Sequence, residues 1–409
     1  MRIVCLSRYF FPMERGRTVA RGHGVDIRLH ELFKNLCAFG HEVHLVTPSM
    51  TPYRRWMGAD SLGSSHTVFD GINIHRVRTL APEFSLTRLP SLFRFARSLS
   101  LSTGKCDALM GEFHPFHTVG LECALLKKIR NLPLVMDIPD ITVDEETTPL
   151  SRPFYKLNEN LVFNTSDALS VVSEGVRKYA QGMVRDEDKR KRVEVIPNGV
   201  DVKFIKSAPC EDVKKKFGLD GKFVVGFVGS LTPQHGIEYL IRAAPSIIAR
   251  AKNAKIFIVG GGRMEQELRR LCSSLGIQES VVFAGIVPRA EISEYLSAMD
   301  VCVAPFPRGF VFSINHPLKL SEYLAAGKPL VVCGENVSRI AREAGAGLGA
   351  EQESPLSIAD AVVKLAEDGK MRRRMGASGR KYAVKKLEWR VLARKLEGVL
   401  RRTVQEAAE

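Results

Sequence analysis

The residues best suited to chemistry lie in one stretch, PFPRGFVFSINHPLKLSEYLAAGKP, which follows a short apolar run. Its polar side chains are Arg308, Asn315, His316, Lys319 and Glu322. Because Lys319 and Glu322 are three residues apart, a helix would place them on one face, either as a surface ion pair or as part of a site. A carboxylate can accept hydrogen bonds from two vicinal hydroxyls, and a lysine can neutralise a phosphate. We therefore predict a ligand site here, with the ion pair as the alternative.

Two glycine-rich turns follow other apolar runs in the second half of the chain. They are GFVGSLTPQHG, which contains Gly229, Ser230 and His235, and VGGGRM, which contains Gly260–Arg263. Glycine lets a backbone approach a phosphate, and the N-terminus of a following helix directs N–H groups at it. A plain tight turn is the alternative for either motif. The second motif lacks the third glycine of a dinucleotide fingerprint and the acid that should follow it, which disfavours an NAD site.

These motifs need a scaffold, and short apolar runs alternate with amphipathic stretches along the whole chain. The predicted strands of the first half are Ile3–Ser7, Val43–Val46, Leu134–Met136 and Leu169–Val172. Those of the second half are Phe223–Val228, Lys255–Val259, Val281–Phe283, Val301–Ala304 and Leu330–Val332. Continuous apolar strands flanked by helices indicate parallel sheets covered on both faces, so we predict an α/β protein with two doubly wound domains. In such sheets, ligands bind beyond the carboxyl ends of the strands, where the three motifs lie.

Composition narrows the class of protein. A chain of 409 residues is too long for one compact core, so two domains of roughly 200 residues are expected. The net charge of +15 favours anionic partners such as phosphorylated substrates or acidic lipid surfaces, with an inert basic surface as the alternative. We recognise no nucleic-acid-binding motif and predict no nucleic-acid partner. The eight cysteines form no CxxC pair, so we expect reduced thiols and neither a disulfide framework nor a zinc site.

The location of the protein is predicted from targeting signals. The chain shows no signal-peptide pattern, and no apolar run approaches the ~20 residues of a membrane span, so we predict a cytoplasmic protein. The stretch TRLPSLFRFARSLSLSTGK would place apolar residues on one helical face with arginines beside them. Such a helix suits peripheral attachment to the anionic inner face of the plasma membrane, and packing inside the fold is the alternative.

The order of the motifs resembles glycosyltransferase family 4, whose fold is GT-B. The resemblance covers nearly the whole chain and rests on six segments in family order: RGHGVDIRLHELFKNLCAFGHEVHLVT, VIPNGVD, VGFVGSLTPQHGIEYLIRA, IVGGGRMEQELRRLC, VVFAGIVPRAEISEYLSAMDVCVAP and KLSEYLAAGKPLVV. It implies two Rossmann-like domains facing across a cleft. The acceptor-binding domain would span residues 1–205, with a C-terminal helix near 385–409 packing back on it, and the nucleotide-sugar-binding domain would span 206–384.

The resemblance also implies a donor site. By position, Glu322 would bind the ribose hydroxyls of a nucleotide-sugar, and the loop at Gly24 would approach the sugar-phosphate. The segment Ile286–Arg289 would face the base, and Gly260–Arg263 would line the cleft. The implied donor-binding set is Gly24, Gly229, Ser230, His235, Gly260, Gly261, Gly262, Arg263, Val287, Asn315, His316, Lys319, Leu320 and Glu322.

The sequence departs from the usual family pattern at the diphosphate. Ser230 and His235 stand where the family has an arginine and a lysine that grip the two phosphates. The sequence looks like a branch of the family with a PxKLxEY motif. In that branch Lys319 would take over phosphate binding.

A second departure concerns the sugar. Ile314 stands where the family has the first of two glutamates, so the sugar contact would pass to Asn315 or His316. These departures keep open a catalytically inactive, donor-binding scaffold subunit. A sugar-nucleotide epimerase of the GT-B fold is a further alternative.

The implied reaction is a metal-independent, retaining transfer of a hexosyl or N-acetylhexosaminyl group from a UDP- or GDP-sugar. Lys319 would stabilise the departing nucleoside diphosphate, and its phosphate would accept the proton of the acceptor. His114, in GEFHPFH, is the second predicted catalytic residue. The acceptor would be a lipid-linked glycan, a polysaccharide or a small molecule. Its predicted contacts are His23, His117, Asp140 and, beside the last, Asp137.

Overall fold

The computed structural model describes residues 1–7, 13–14, 17–18, 24–48, 66–77, 106–114, 119–141, 152–309 and 314–409. The chain forms two compact units. The first unit comprises Met1–Pro197 together with Trp389–Glu409, and the second unit comprises Asn198–Glu388. The division falls after Pro197 and after Glu388, whereas the sequence-based domains end at 205 and 384.

The first unit is built on an eight-stranded sheet. Its strands are β1 (Arg2–Leu6), β4 (Glu42–Pro48), β5 (His66–Phe69), β6 (Ile72–Val77), β7 (Ala108–Glu112), β8 (Leu134–Ile138), β9 (Ala168–Val171) and β10 (Val193–Val195). Their spatial order is β10-β9-β8-β7-β1-β4-β6-β5, and every neighbouring pair is parallel except β5 and β6. Two short strands, β2 (Met13–Glu14) and β3 (Arg17–Thr18), form a separate antiparallel pair.

Helices flank this sheet. The described helices of the first unit are Gly24–Ala38, Val119–Arg130, Arg152–Thr165, Glu174–Met183, Glu187–Lys191 and Trp389–Glu406. The last of these packs against Gly24–Ala38 and buries Trp389, Leu392 and Leu396. The C-terminal helix therefore belongs to the first unit, as predicted, because its apolar face completes the core there.

The second unit is built on a six-stranded parallel sheet. Its strands are β11 (Phe223–Val228), β12 (Ala254–Val259), β13 (Val281–Gly285), β14 (Val301–Pro305), β15 (Leu330–Cys333) and β16 (Gly347–Ala350), in the spatial order β13-β12-β11-β14-β15-β16. The described α-helices of this unit are Glu211–Phe217, Ile237–Arg250, Glu265–Ser274, Ile292–Ser297, Leu318–Ala325, Glu335–Glu343, Pro355–Glu367 and Gly369–Tyr382. Short 3-10 turns cover Pro233–His235, Gln278–Ser280 and Arg289–Glu291, and a π-helical turn covers Ala383–Leu387.

The predicted fold class is confirmed. All nine predicted strands are present, and the central strands β11 and β14 are buried on both faces, as parallel strands between helix layers must be. Within the described ranges, none of the helices is both long enough and apolar enough to cross a membrane. The basic-amphipathic stretch at residues 87–105 lies outside the described residues.

Candidate active site

Lys319 lies at the start of the helix Leu318–Ala325, beyond the carboxyl ends of β11 and β14. The helix begins directly after Pro317, whose extended backbone suits the residue before a first turn. Leu320 and Leu324 are fully buried, and the Tyr323 hydroxyl accepts a hydrogen bond of 2.7 Å from the amide of Val228, the last residue of β11. The apolar face and this hydrogen bond seat the helix against the sheet.

The ammonium group of Lys319 is buried in an aromatic and glycine environment. Its Nζ lies 4.3 Å from the ring centre of Phe227 and 5.6 Å from that of Phe306. A Cβ placed on Gly229 would come within 2.7 Å of it, and the φ of +147° at this turn favours glycine. Among the described residues, Nζ has no hydrogen-bond partner. Burial lowers the pKa of Lys319 to about 7, and the charge of Glu322 only partly opposes this.

The turn that follows β11 contributes two more buried polar atoms. Thr232 precedes the 3-10 turn Pro233–His235, yet its side chain makes no capping hydrogen bond. Thr232 Oγ1 and His235 Nδ1 are both buried, and neither has a hydrogen-bond partner in the part of the chain that the structure describes. Burial, together with the nearby charge of Lys319, lowers the pKa of His235 to about 2, so its imidazole is neutral at every physiological pH. Ser230 is exposed at the start of this turn.

The second glycine turn packs directly on the first. A Cβ on Gly260 would lie 1.9 Å from the carbonyl oxygen of Gly229, and one on Gly262 would lie 2.4 Å from that of Leu231. Hydrogen bonds from the Leu231 amide to the Gly261 carbonyl (3.0 Å) and from the Gly229 amide to the Val259 carbonyl (2.9 Å) join the two turns. Close backbone packing thus accounts for these glycines, a role that the sequence did not distinguish from ligand binding. Arg263, next in the turn, is exposed.

Glu322 is engaged, but not with Lys319. Its Oε1 accepts a hydrogen bond of 2.7 Å from Nη1 of Arg289, and the two side chains are 7% and 19% exposed. The surface ion pair between Lys319 and Glu322, which the sequence left as an alternative, is therefore not formed. Arg289 begins the 3-10 turn after β13, two residues beyond Val287, which is half-buried against the core.

The residues before the helix form a hydrogen-bonded loop. His316 is buried, and its Nε2 lies 3.0 Å from Oγ of Ser321. The Ser321 hydroxyl donates to the Asn198 carbonyl at 2.6 Å, and the Asn198 side chain donates to the His316 carbonyl at 2.7 Å. The carbonyl of Asn315 accepts a hydrogen bond from Asn336. These contacts give His316 a structural role in holding the loop that leads to Lys319.

The remaining predicted residues of the second unit lie nearby in sequence and contribute differently. Leu320 is a core side chain whose amide donates to the Pro317 carbonyl at 3.0 Å. Ile314 is half-buried at the edge of a described segment. The Arg308 side chain is 68% exposed, and its guanidinium faces Glu351 and Glu353 at 3.8 and 3.9 Å.

The candidates in the first unit are only partly described. Gly24 is the first residue of the helix Gly24–Ala38, and His114 follows the end of β7 in a half-buried position. Asp140 is half-buried two residues after β8. His23 and His117 lie outside the described residues.

Asp137 does not serve as an open acceptor contact. It is 1% exposed, and both of its carboxylate oxygens accept hydrogen bonds from Arg28, at 2.8 and 2.9 Å. The Ser170 hydroxyl donates a further hydrogen bond to it at 2.6 Å. The hydrogen bonds from Arg28 and Ser170 occupy the carboxylate inside the core. Its position at a strand end suggested a contact with the acceptor, and nothing in the sequence indicated these partners.

Sequence reasoning missed Thr232 and the pairing of Arg289. Thr232 stands before Pro233 at a helix-start position, where an unused side-chain cap is a signal only once the structure is known. The sequence placed Arg289 in a segment facing the base but gave no sign of its link to Glu322, 33 residues away. Within the described ranges, no three His, Cys, Asp or Glu side chains are placed to hold a metal ion.

Comparison with known proteins identifies two matching domain families. Residues 23–199 match the glycosyl transferase 4-like domain, and residues 222–368 match the glycosyl transferases group 1 domain. An uncharacterised glycosyltransferase of Methanocaldococcus jannaschii is 28% identical over 92% of this chain and 93% of its own length. A GDP-mannose-dependent alpha-(1-6)-phosphatidylinositol monomannoside mannosyltransferase of Mycobacterium tuberculosis is 30% identical over 51% of this chain and 56% of its own length.

Solved structures establish the fold. A sucrose-phosphate synthase from Thermosynechococcus elongatus superposes with a TM-score of 0.75 at 18% identity, covering 100% of both chains. Anabaena HepE in complex with UDP and glucose superposes with a TM-score of 0.75 at 16% identity, covering 98% of this chain and 100% of its own. The fold is GT-B, as the sequence motifs implied.

Proposed function

Because the chain is a glycosyltransferase of the family 4 type, we propose that it transfers a hexosyl or N-acetylhexosaminyl group from a nucleoside diphosphate sugar, with retention at the anomeric carbon and without a metal ion. The donor binds in the second unit, beyond the carboxyl ends of β11 and β14. The first unit binds the acceptor.

One observation carries the donor site. The Lys319 ammonium is buried beside the Gly229 turn and, within the described residues, makes no hydrogen bond. A buried ammonium without a partner is costly and persists where a ligand supplies the counter-charge. Gly229 lets that ligand approach closely, and a diphosphate has the charge and the acceptor oxygens that Lys319, Thr232 and His235 call for.

Transition-state stabilisation follows from the same arrangement. Negative charge develops on the nucleoside diphosphate as the glycosidic bond breaks, and Lys319 opposes it in a site with low local dielectric. Binding the diphosphate returns Lys319 to its protonated form, because an adjacent anion raises the pKa that burial had lowered. His235 is neutral, so one ring nitrogen can donate a hydrogen bond to a phosphate oxygen without repelling Lys319. The leaving phosphate accepts the proton of the acceptor hydroxyl.

The remaining roles extend this proposal. Glu322 binds the ribose, Val287 lies by the base, and Asn315 contacts the sugar. In the first unit, Gly24 approaches the donor sugar-phosphate, and His114 is the second catalytic residue. The proposed acceptor contacts are His23, His117 and Asp140.

Donor and acceptor are proposed by class. The mycobacterial relative is named for GDP-mannose and the Anabaena structure holds UDP, so GDP- and UDP-sugars are the candidates. The same relative is named for a phosphatidylinositol mannoside, and a net charge of +15 suits an anionic lipid-linked acceptor. We propose a cytoplasmic enzyme that acts at the inner face of the plasma membrane, with polysaccharides and small molecules as the other acceptor classes.

The test is a thermal-unfolding panel with UDP, GDP and ADP and with their sugars. A ligand that binds only the folded state raises the midpoint, and we expect one nucleotide series to do so in the unmodified protein and not in Lys319→Ala. Loss of the shift in the variant supports the donor site, whereas an equal shift in both proteins contradicts it.

Turnover separates the transferase from its two alternatives. The absence of the family's phosphate-gripping side chains at Ser230 and His235 is what favours an inactive scaffold as the second candidate. Release of nucleoside diphosphate with membrane extract supports transfer. Binding without any release supports the scaffold, and conversion of one nucleotide-sugar into another supports an epimerase.

A further inference from the structure

Arg289 links two segments that are distant in sequence. It begins the 3-10 turn after β13, whereas its partner Glu322 lies in the helix that follows β14. Arg289 Nη1 donates to Glu322 Oε1 at 2.7 Å, with both side chains mostly buried. The guanidinium carbon also lies 5.7 Å from the ring centre of Phe204, which restricts the arginine from one side.

The geometry of this pair differs from that of a purely structural one. In the first unit, Arg28 reaches both oxygens of Asp137, so that carboxylate is closed on two sides. Arg289 reaches only Oε1 of Glu322. Glu322 Oε2 accepts no hydrogen bond from any residue that the structure describes, although the residue is only 6% exposed. The arginine therefore fixes the direction of the carboxylate and leaves its second oxygen available.

We propose that Arg289 is a positioning residue that aims Glu322 Oε2 at the 2′- and 3′-hydroxyls of the donor ribose. This inference rests on the proposed function and assigns the substrate class more narrowly: the donor is a ribonucleoside diphosphate sugar, and 2′-deoxyribonucleoside donors are rejected. A fixed carboxylate discriminates strongly against an analogue that lacks the hydroxyl, since its buried oxygen is then left unpaired. A carboxylate free to rotate would find water or another donor and discriminate less.

The location of Arg289 supports a role in recognition. It lies two residues after Val287, in the segment proposed to face the base, and its side chain ends on the residue proposed to bind the ribose. The ion pair thus joins the base-facing segment and the ribose-binding helix at one side of the candidate site. Shortening or neutralising the arginine should alter how the ribose is read while the base-facing backbone stays in place.

The experiment measures a ratio. Dissociation constants for UDP and 2′-deoxy-UDP, and for GDP and 2′-deoxy-GDP, are determined by titration calorimetry. We expect the unmodified protein to prefer the ribonucleotide of its own series by about 10- to 100-fold. In Arg289→Gln the preference should fall to about 3-fold or less, because Glu322 is no longer held. Arg289→Lys should retain an intermediate preference, and Glu322→Gln should lose it.

The matched control is Arg250→Gln, which removes an exposed arginine of the same unit that pairs with the exposed Asp360. It should keep the full preference. The double variant Arg289→Gln/Glu322→Gln should show the same preference for the ribonucleotide as Glu322→Gln alone, since both changes act on one contact. Thermal unfolding of each variant confirms that the ratio is read on folded protein.

The outcomes distinguish a failure of the role proposed for Arg289 from a failure of the proposed function. If the unmodified protein binds none of the nucleotides, the proposed function fails. If it binds them without preferring ribose, or if Arg289→Gln keeps the full preference, the proposed function stands and the role of Arg289 is overturned. If Arg289→Gln binds the ribonucleotide and the 2′-deoxyribonucleotide more weakly by the same factor, the role of Arg289 is also overturned, because that result marks the arginine as structural.

Discussion

Both units bury a cationic side chain, and the two are surrounded very differently. Arg28 in the first unit is fully buried and donates to both oxygens of Asp137 and, at 3.0 Å, to the carbonyl of Pro197. Lys319 in the second unit is 9% exposed and, among the described residues, donates to none; aromatic rings and a glycine turn surround it.

The two environments distinguish a buried charge with a structural role from one with a functional role. Removing a charge from water costs several kcal/mol, and a well-placed counter-ion returns roughly that amount, so the Arg28 cluster needs no ligand. Among the described residues, no counter-ion or hydrogen-bond acceptor compensates for the desolvation of the Lys319 ammonium group, and this uncompensated cost lowers its pKa. An uncompensated buried charge is typical of a binding site, where function is retained at the expense of folding stability.

The largest effect is expected for Arg28→Met. The substitution leaves Asp137 buried without its cation, so the free energy of unfolding should fall by about 3–5 kcal/mol in urea titrations followed by circular dichroism. Arg177→Met is the control: it breaks a half-exposed pair with Glu174 and should cost no more than about 1 kcal/mol. Equal losses in the two variants would show that the saturated cluster is not what stabilises the first unit.

The opposite sign is expected for Lys319→Met. The buried charge disappears, so the free energy of unfolding should rise by about 2–4 kcal/mol near neutral pH. The folded pKa of about 7 lies below the ordinary value, so the gain should be largest at and below pH 7 and fade as the pH rises toward 10.5. Affinity for the nucleoside diphosphate should fall by about 100-fold or more, measured by calorimetry.

Lys328→Met is the matched control for this prediction. Burial also lowers the pKa of Lys328, but its Nζ donates to the carbonyls of Ser297 and Met299 at 2.9 and 2.6 Å. Its removal should destabilise the protein and leave nucleotide affinity unchanged. If Lys319→Met destabilises the protein as Lys328→Met does, the contrast between a satisfied and an open buried cation is lost.

The sequence predicted the architecture well, because continuous apolar runs are a local signal. It missed the hairpin of β5 and β6, which lies at the sheet edge and lacks such a run, although the turn Asp70-Gly71 between them is a strong hairpin signal. It also missed β7, where Gly111 and Glu112 interrupt the apolar pattern. Edge strands and strands that carry a buried polar residue are where apolar runs fail.

The candidate site was predictable in its residue types and not in its pairing. Spacing singled out Lys319 and Glu322 as a candidate ligand site, and it left open as the alternative that the two side chains pair with each other. In the fold, Glu322 meets Arg289, while Phe227 and Phe306 come from two different strand ends to enclose Lys319. Partners brought together from separate elements leave no periodic trace in the chain, so the burial that lowers the pKa of Lys319 had to be seen in the structure.

The smallest expected effect is a change in donor affinity with pH, which tests the protonation of Lys319. At pH 8 most free protein carries neutral Lys319, since its pKa is about 7, and donor binding must then take up a proton. We expect affinity for a nucleoside diphosphate sugar, whose diesterified phosphates keep a constant charge, to fall about 20-fold from about pH 6.5 to about 8.5. Calorimetry in buffers of different ionisation enthalpy should show close to one proton taken up at the upper end of this pH range.

His235, whose pKa of about 2 keeps it neutral throughout, cannot produce this dependence. Lys319→Arg keeps its charge at every pH used, so any affinity it retains should be flat. A pH dependence that survives in Lys319→Arg would assign the proton to another group and leave the buried ammonium without its predicted role.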